Sequence, residues 1–433
     1  MKLKVKVNIR KQSQPEIFTF MIVLMPFLFG LLFDLMGLPS FLKYVLDICW
    51  IGLLILAIIN KAVVKENKII WIWIGAFVAY TLVIYILRYQ SALYYLWGFR
   101  NNFRFYAAFL AFTVFLEKEH IRYYLNLFDK LFWINAVVCF MQYYLLGKRG
   151  DFLGGLFGVE RGCNGYTNIF FIIIAAKSII YFFNKQESLL SCLLKCGLIM
   201  IISAYAELKF IYLEFAVIVV VAVVFTGFTV RKLLVALGAL VGISLGMELL
   251  TSIFSHSSDV FSWEGMMENA TNEDGYSSAG DINRLTAIPI LSKKILKSFA
   301  EKMFGLGLGN CDTAGFEFLI TPFYVRYSYL RYSWFSTAFT FLETGFVGLT
   351  LFFGFFVLIF ILTLKKKCND IEDNMYRQIA MVVSVASILF AIYGSSLRME
   401  SAYMVYFILA IPFIKGDKDE RKSVQQDIYQ QIG

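Results

Sequence analysis

Basic side chains that stand beside long apolar runs are the residues whose chemistry is easiest to read from this sequence. The set is Arg88, Arg100, Arg104, Arg161, Lys209, Arg284, Arg326 and Arg331. Each one alone favours a side chain that extends along apolar surface and keeps its charge in water. Together they predict a cationic vestibule at one membrane interface. Guanidinium groups bind phosphate with paired hydrogen bonds, so the chemistry expected there is the binding of a diphosphate.

Three carboxylates lie at membrane depth in the same sequence. Glu207 and Glu214 stand near the start of one apolar run, and Glu343 lies inside another. Such groups are costly in a membrane and usually mark either a function or a buried ion pair. Glu207 and Glu343 are candidate catalytic bases. A structural pairing with an arginine is an equal alternative for Glu343.

A glycine-rich turn, Gly305-Leu306-Gly307-Leu308-Gly309-Asn310, has the spacing G-x-G-x-G. It follows an amphipathic segment and not a strand, so a dinucleotide-binding loop is not indicated. One interpretation is a tight turn that needs positive φ. The other is that Gly305, Gly307 and Gly309 border an anion site with their amides.

Motifs of metal, serine-hydrolase and P-loop chemistry are missing from the sequence. The two histidines, His120 and His256, do not form part of an H-E-x-x-H pattern, and no C-x-x-C, G-x-S-x-G or G-x-x-x-x-G-K-[ST] is present. We therefore expect neither a metal nor a cofactor.

The elements that carry these residues are predicted to be membrane helices. Of 433 residues, 59% are apolar and 16% are charged, against about 25% charged in soluble domains. This composition excludes a soluble enzyme, a nucleic-acid-binding protein and a disordered chain. The net charge of +9 fits the cytoplasmic loops of a membrane protein. The predicted fold is an all-α polytopic membrane protein.

About twelve apolar runs approach the roughly 20 residues that cross a bilayer. We place them at 17–36, 41–60, 69–87, 103–117, 125–146, 168–184, 188–204, 209–227, 233–252, 336–364, 378–396 and 401–414. The first run lacks a signal-peptide cleavage site and is expected to be a retained helix.

The distribution of lysine and arginine predicts the orientation. With the N-terminus in the cytoplasm, the cytoplasmic segments carry 21 basic residues and the opposite short loops carry 8. Both termini are therefore expected inside. The chain then divides into a membrane bundle of about nine helices (1–252), a large extracytoplasmic loop (253–335), about three further helices (336–414) and a cytoplasmic tail (415–433).

The large loop begins with an acidic stretch, Asp259 to Asp281, and continues with a basic amphipathic one. There the apolar residues recur every four positions, at Leu291, Ile295, Phe299 and Met303, which predicts a helix lying in the membrane interface. Cys163 and Cys311 are the cysteines expected on this side of the membrane. Either they pair with each other or both are free thiols.

The order of these features resembles the signature of the O-antigen ligase and polymerase superfamily. An arginine, Arg284, opens the large loop, the turn 305–310 follows some twenty residues later, and Glu343, Gly345 and Gly348 form an E-x-G-x-x-G pattern in the next span. Two further stretches are similar to the family's segment before a span, at Gly154–Gly158 and Asn164–Asn168. The resemblance covers roughly residues 150–364.

Two departures decide which branch of this superfamily the resemblance favours. Trp334 stands where ligases often carry a histidine, and Lys209 stands where members often carry an arginine. The resemblance therefore implies a repeat-unit polymerase with a membrane glycosyltransferase fold of the GT-C-like class. It would transfer a growing glycan from polyprenyl diphosphate to another lipid-linked repeat unit of O-antigen, capsule or exopolysaccharide. The alternatives are a ligase-type glycan transferase and a lipid-linked oligosaccharide flippase.

The resemblance also implies roles and partners. Arg284, Glu343 and Glu207 are the expected catalytic residues, and Lys209, Arg100, Arg104 and Arg161 with the three turn glycines are expected to bind the diphosphate. The expected partners are lipid-linked oligosaccharide and membrane lipids, with a chain-length regulator and a flippase of the same pathway as further candidates and no nucleic acid. The expected location is the bacterial plasma membrane.

Overall fold

The computed structural model describes residues 14–59, 67–253, 276, 280–313, 316–368 and 370–414. In this part of the chain the regular elements are helices, and an isolated antiparallel bridge joins Tyr276 to Ile282. The apolar runs, which contain few acidic residues, form long helices because all backbone hydrogen bonds are then made within each segment. The protein is an α-helical membrane protein, as predicted.

Twelve of the helices coincide with the apolar runs. They are α1 (Gln14–Leu24), α2 (Val45–Ile59), α3 (Lys68–Leu87), α4 (Ala92–Phe115), α5 (Lys118–Tyr144), α6 (Asn164–Phe183), α7 (Leu189–Tyr205), α8 (Ile211–Thr226), α9 (Val230–Ile253), α13 (Ser336–Lys365), α14 (Ile371–Tyr393) and α15 (Ala402–Ala410). Among the described residues between α9 and α13, the short α-helices are α10 (Ala287–Ile290), α11 (Phe299–Phe304) and α12 (Pro322–Tyr327).

Seven helical stretches in the described residues are long and apolar enough to cross a membrane. They are α3, α5, α6, α13, α14, the stretch 40–59 that ends in α2, and 232–249 of α9. The apolar helices around α1, α7, α8 and α15 are shorter. Helix α4 has 24 residues but contains Arg100 and Arg104. Twelve crossings therefore stay a prediction.

Helix α6 lies at the centre of the bundle, and 94% of its apolar window is buried. It packs on α7, α8 and α14, and α14 in turn packs on α13 and α15. Helix α15 is buried along its whole length and packs on α4. Helix α9, in contrast, contacts α7 and α8 and leaves most of its surface outside the bundle.

Polar caps and glycines fix several helix ends. The side chain of Ser188 accepts a hydrogen bond from the amide of Ser191 at the start of α7, and Asp370 does the same for Asp373 at the start of α14. Gly227, with φ of 79°, turns the chain between α8 and α9. These caps hold consecutive helices as neighbours.

The amphipathic segment of the large loop is not one helix, so that prediction was wrong. The helical turns 287–295 end at Leu296, and α11 starts after Ser298, which caps it together with Glu301. Leu291 is buried, whereas Phe299 is exposed. The four-residue period was present, but the cap at Ser298 begins a new helix in another direction. The acidic stretch 259–274 lies outside the described residues.

Candidate functional site

All predicted site residues lie at one end of the bundle, which we call the loop face. It is formed by the segments 88–91, 145–163, 206–210, 280–313, 316–335 and 394–401. Helices α4, α6, α8, α13 and α15 begin here, and α3, α5, α7 and α14 end here. The antiparallel course of the chain thus gathers residues that are far apart in sequence.

A buried ion pair joins α4 to the segment before α15. The guanidinium of Arg104 lies 2.9 Å from Glu400 Oε1, and the hydroxyl of Tyr166 donates to Glu400 Oε2 at 2.5 Å. Arg104 also donates to the carbonyl of Arg398 at 3.0 Å. Burial alone would raise the pKa of Glu400, but Arg104, with Lys43 and Tyr166, holds that pKa at about 2. Glu400 is therefore a carboxylate committed to this pair.

Arg398 binds two further carboxylates. It lies 3.3 Å from Asp312 Oδ2 and 3.8 Å from Glu343 Oε2, and its guanidinium stacks on Phe339 at 3.5 Å. The side-chain amide of Asn101 also donates to Asp312, at 2.7 Å. The alternative interpretation of Glu343, as the partner of an arginine, matches this contact.

Arg100 completes the set of buried or half-buried arginines. It lies 2.9 Å from Asp47 and packs against the rings of Tyr44 and Trp97. We call the whole set the buried network; its charged members are Asp47, Arg100, Arg104, Asp312, Glu343, Arg398 and Glu400. Each arginine in it has a carboxylate partner, as charges taken out of water require.

The glycine-rich turn supports Glu343 through its backbone. Helix α13 is kinked at Gly345, whose φ of 63° lies outside the helical region. A side chain at Gly305 or Gly345 would collide with the backbone of the other segment, so both positions need glycine. The amide of Gly307 donates to the carbonyl of Glu343 at 2.9 Å, and that of Gly309 donates to Glu343 Oε1 at 2.7 Å. Because these amides are bonded inside the fold, we interpret the turn as the support of Glu343 and not as an open anion cradle.

A second group of predicted residues lies at the surface of the loop face. The guanidinium of Arg284 stacks on the ring of Tyr393 at 4.2 Å, and its Nε donates to the Tyr393 carbonyl at 2.9 Å. The ammonium of Lys209 lies 3.4 Å from Glu207. Arg161 lies 3.6 Å from Asp151 and is 67% exposed. We call Arg161, Lys209 and Arg284, together with Glu207, the cationic lip.

Lys209 lies close enough to Arg284 for the two positive charges to repel each other. Burial lowers the pKa of Lys209, the Glu207 carboxylate opposes this shift, and the charge of Arg284 adds to the lowering. Two cations close enough to repel each other are relieved by a bound anion. Glu207 itself has a positive φ of 55° at the turn after α7, which directs it toward Lys209 and not along the helix.

The first turn of α6 connects the lip to the buried network. The side-chain amide of Asn164 donates to Asp151 at 3.2 Å and to the carbonyl of Ala206 at 3.0 Å. Two residues later, Tyr166 donates to Glu400. Hydrogen bonds of α6 thus link the buried network to the segments that carry Arg161 and Lys209.

The remaining predicted cations have other contacts. Arg88 donates to the carbonyl of Gly305 at 2.7 Å. Arg331 lies 3.8 Å from Asp281. Trp334 packs beneath the guanidinium groups of both Arg161 and Arg331. The position where ligases often carry a histidine therefore borders the lip.

Glu214 lies one helical turn below the lip. It is fully buried and accepts a hydrogen bond from the side chain of Asn168 at 2.9 Å. It does not join either group of charges, and we leave it outside the site.

Two thiols, those of Cys163 and Cys311, lie in segments of the loop face. Cys163 and Cys311 are both free, and burial raises the pKa of each thiol. Within the described residues, no three histidine, cysteine or acidic side chains are grouped to hold a metal ion. The expectation of a metal-independent activity stays a prediction.

Sequence reasoning missed Arg398, Glu400, Asp312 and Asp47 as members of the network. A signal was present for two of them, because Arg398 and Glu400 are the only charged residues between 378 and 414. The motif Arg100-Asn101-Asn102-Phe103-Arg104 inside an apolar helix is a second signal, since such a helix needs buried partners. No family model matches the chain, and no curated protein matches it either.

Proposed function

We propose that the protein is a polymerase of lipid-linked polysaccharide repeat units that works at the outer face of the plasma membrane. The single observation that carries this proposal is the cationic lip, at the predicted membrane boundary before α8, where Arg284 lies close enough to act on the charge of Lys209 and Lys209 lies 3.4 Å from the Glu207 carboxylate. A polyprenyl diphosphate presents an anion at that depth. The order of motifs in the sequence supports the same assignment.

The topology proposed with this function has twelve crossings, both termini in the cytoplasm and a GT-C-like arrangement with the loop face outside. The bias of basic residues supports this orientation. Single cysteines at positions 277 and 423 test it in intact cells. An impermeant thiol reagent is expected to label position 277 and not position 423, and the reverse pattern would reject the orientation.

In the proposed reaction a hydroxyl of the acceptor repeat unit attacks the anomeric carbon of the donor glycan. The new bond joins the acceptor oxygen to that carbon, and the bond from the carbon to the diphosphate oxygen breaks. Arg284 and Lys209 would stabilise the negative charge that develops on the leaving diphosphate, more in the transition state than in the ground state. No metal is required for this role.

Glu207 is the proposed base that takes the proton from the attacking hydroxyl. A base has to come within hydrogen-bonding distance of that proton, and the Glu207 side chain is 34% exposed beside Lys209. The side chain of Glu343 has no exposure and is held by Gly309 and Arg398. We therefore assign Glu343 a positioning role for the turn and the kink of α13.

Purified protein incubated with lipid-linked repeat units provides the direct test. A ladder of glycans on the lipid is expected for a polymerase. Transfer of a preformed glycan to a different lipid acceptor without a ladder would indicate the ligase alternative. Movement of the lipid across the bilayer without elongation would indicate the flippase alternative.

A further inference from the structure

An apolar groove lies between α7, α8 and α9, in the part of the bundle below the cationic lip. Its volume is about 320 Å³, at the lower end of the range for ligand pockets. Its lining is almost entirely apolar and includes Met200 of α7 and Phe215 of α8. Leu245 of α9 lines it and is 60% exposed, so the groove opens toward the side where lipid would lie.

Glycines leave the floor of this groove without side chains. Gly238, Gly242 and Gly246 recur every four residues and share one face of α9, and Gly197 lies opposite on α7. A side-chain carbon added at Gly197, Gly238 or Gly242 would meet nothing within 4 Å. Gly197, Gly238 and Gly242 therefore line an open space, whereas Gly246 packs against the ring of Tyr212.

The upper end of the groove points to the lip. The ring of Tyr212 packs on Gly246, and its hydroxyl lies 3.2 Å from the carbonyl oxygen of Met200 and 3.3 Å from that of Gly246, so Tyr212 joins α7 to α9 within the lining of the groove. Phe215 follows Lys209 by six residues, which corresponds to about 9 Å along a helix. From 238 to 249 the groove follows α9 for roughly 16 Å, about half the hydrocarbon thickness.

We propose that this groove binds the polyprenyl chain of the donor while Lys209 and Arg284 bind its diphosphate. The inference rests on the proposed function and adds a site for the lipid part of the substrate. Two cations at the headgroup end match the charge of a diphosphate. The glycine floor lets a methyl-branched chain lie directly on the backbone of α9, and the open side admits the chain laterally from the membrane.

The test uses the full-length protein in lipid nanodiscs and a polyprenyl diphosphate with a photoreactive group in its chain. Illumination of the wild-type protein is expected to label peptides of α7 and α9. Gly242→Leu fills the groove and should lower this labelling about tenfold, which corresponds to the loss of contact with about two methylene groups. Gly238→Leu tests the same face independently.

Gly75→Leu is the matched control, because Gly75 is a glycine of α3 with open space around it and lies outside the groove. This variant should label like the wild type. Size-exclusion chromatography confirms that each variant is folded. Labelling of Gly242→Leu and Gly238→Leu equal to that of Gly75→Leu would overturn the proposal.

Competition separates the proposed occupant from ordinary lipid. Excess polyprenyl phosphate should abolish labelling, and excess phospholipid should leave it unchanged. Loss of labelling with phospholipid alone would show a general acyl-chain groove and overturn the assignment. A wild-type protein that labels in the groove but forms no glycan ladder would retain the groove and reject the polymerase. A normal ladder with no groove labelling would retain the polymerase and reject the groove.

Discussion

The buried network and the cationic lip use the same residue types in opposite environments. Arg104 is 2% exposed and Glu400 is 5% exposed, and the two contact each other directly. Arg284 lies at the surface of the loop face, stacked on Tyr393 rather than on a carboxylate. A buried charge has to be matched within the protein, whereas an exposed guanidinium keeps hydrogen-bonding capacity for a ligand. The burial of each arginine side chain therefore decides whether it stabilises the fold or stays available to a ligand.

Breaking the buried network should have the largest effect. Arg104→Ala leaves Glu400 buried without its principal partner, which typically costs about 3–5 kcal/mol. We expect a loss of folded protein in detergent or a large drop in thermal stability. Fluorescence-detected size-exclusion chromatography after heating measures this change.

A double variant shows whether charge or packing is responsible. Arg104→Met with Glu400→Met removes both charges and keeps apolar volume, and it should recover most of the lost stability. If Arg104→Ala alone is as heat-resistant as the wild type, the network does not hold the helix ends as we describe.

Substitutions in the cationic lip should instead reduce activity and leave thermal stability unchanged. Arg284→Ala removes a preorganised charge at the leaving group, which should lower the elongation rate on the order of 10²–10³-fold. Arg284→Lys keeps the charge but loses the bidentate geometry, so partial activity is expected. Glycan length and rate on purified lipid-linked repeat units are the measurements.

Arg326→Ala is the control for Arg284→Ala. Arg326 is an exposed arginine of α12 on the same face that packs on Tyr327, outside both groups of charges. Its replacement should leave elongation unchanged. Normal chain lengths from a stable Arg284→Ala protein would remove Arg284 from the mechanism.

The pH dependence of elongation should report Lys209. In the proposed mechanism its charged form binds the diphosphate, and burial lowers its pKa, so the ammonium is lost at a lower pH than in a free lysine. Elongation should therefore fall as pH rises through this lowered pKa, by about tenfold for the loss of one hydrogen bond to a charged group. In Lys209→Arg the charge persists, and the alkaline fall should shift to higher pH. An unchanged alkaline limb in Lys209→Arg would assign the fall to another group.

The helices could be predicted from the sequence because a segment that crosses a membrane must itself be apolar over about 20 residues. The run 69–87 coincides with α3 to within one residue. Helix α4 was predicted to begin at 103 and begins at Ala92, because Arg100 and Arg104 interrupt the apolar run. Their partners Asp47 and Glu400 come from distant segments, and no local pattern reveals them.

The candidate site could be predicted as a set of residues but not as two groups. Glu343 and the glycine-rich turn were selected separately, and the structure joins them through Gly309. Arg398 was counted only as a basic loop residue, and Glu400 was not singled out. Which charges become buried depends on how helix ends meet, and this follows from packing between elements that lie hundreds of residues apart.

The substitution with the smallest expected effect is at the pair of Arg331 and Asp281. It tests where the lip ends. Their nitrogen and oxygen lie 3.8 Å apart, and the arginine side chain is 49% exposed. Exposed pairs of this kind contribute about 0–1 kcal/mol, so Asp281→Asn should leave thermal stability within about 1 kcal/mol of wild type. Elongation should also be unchanged, because the Tyr393 carbonyl and ring hold Arg284. Parallel melting curves and glycan ladders provide the check, with Arg284→Ala as the reference for a lip residue. A loss of elongation in Asp281→Asn comparable to that of Arg284→Ala would place Asp281 within the lip and extend the site toward Arg331.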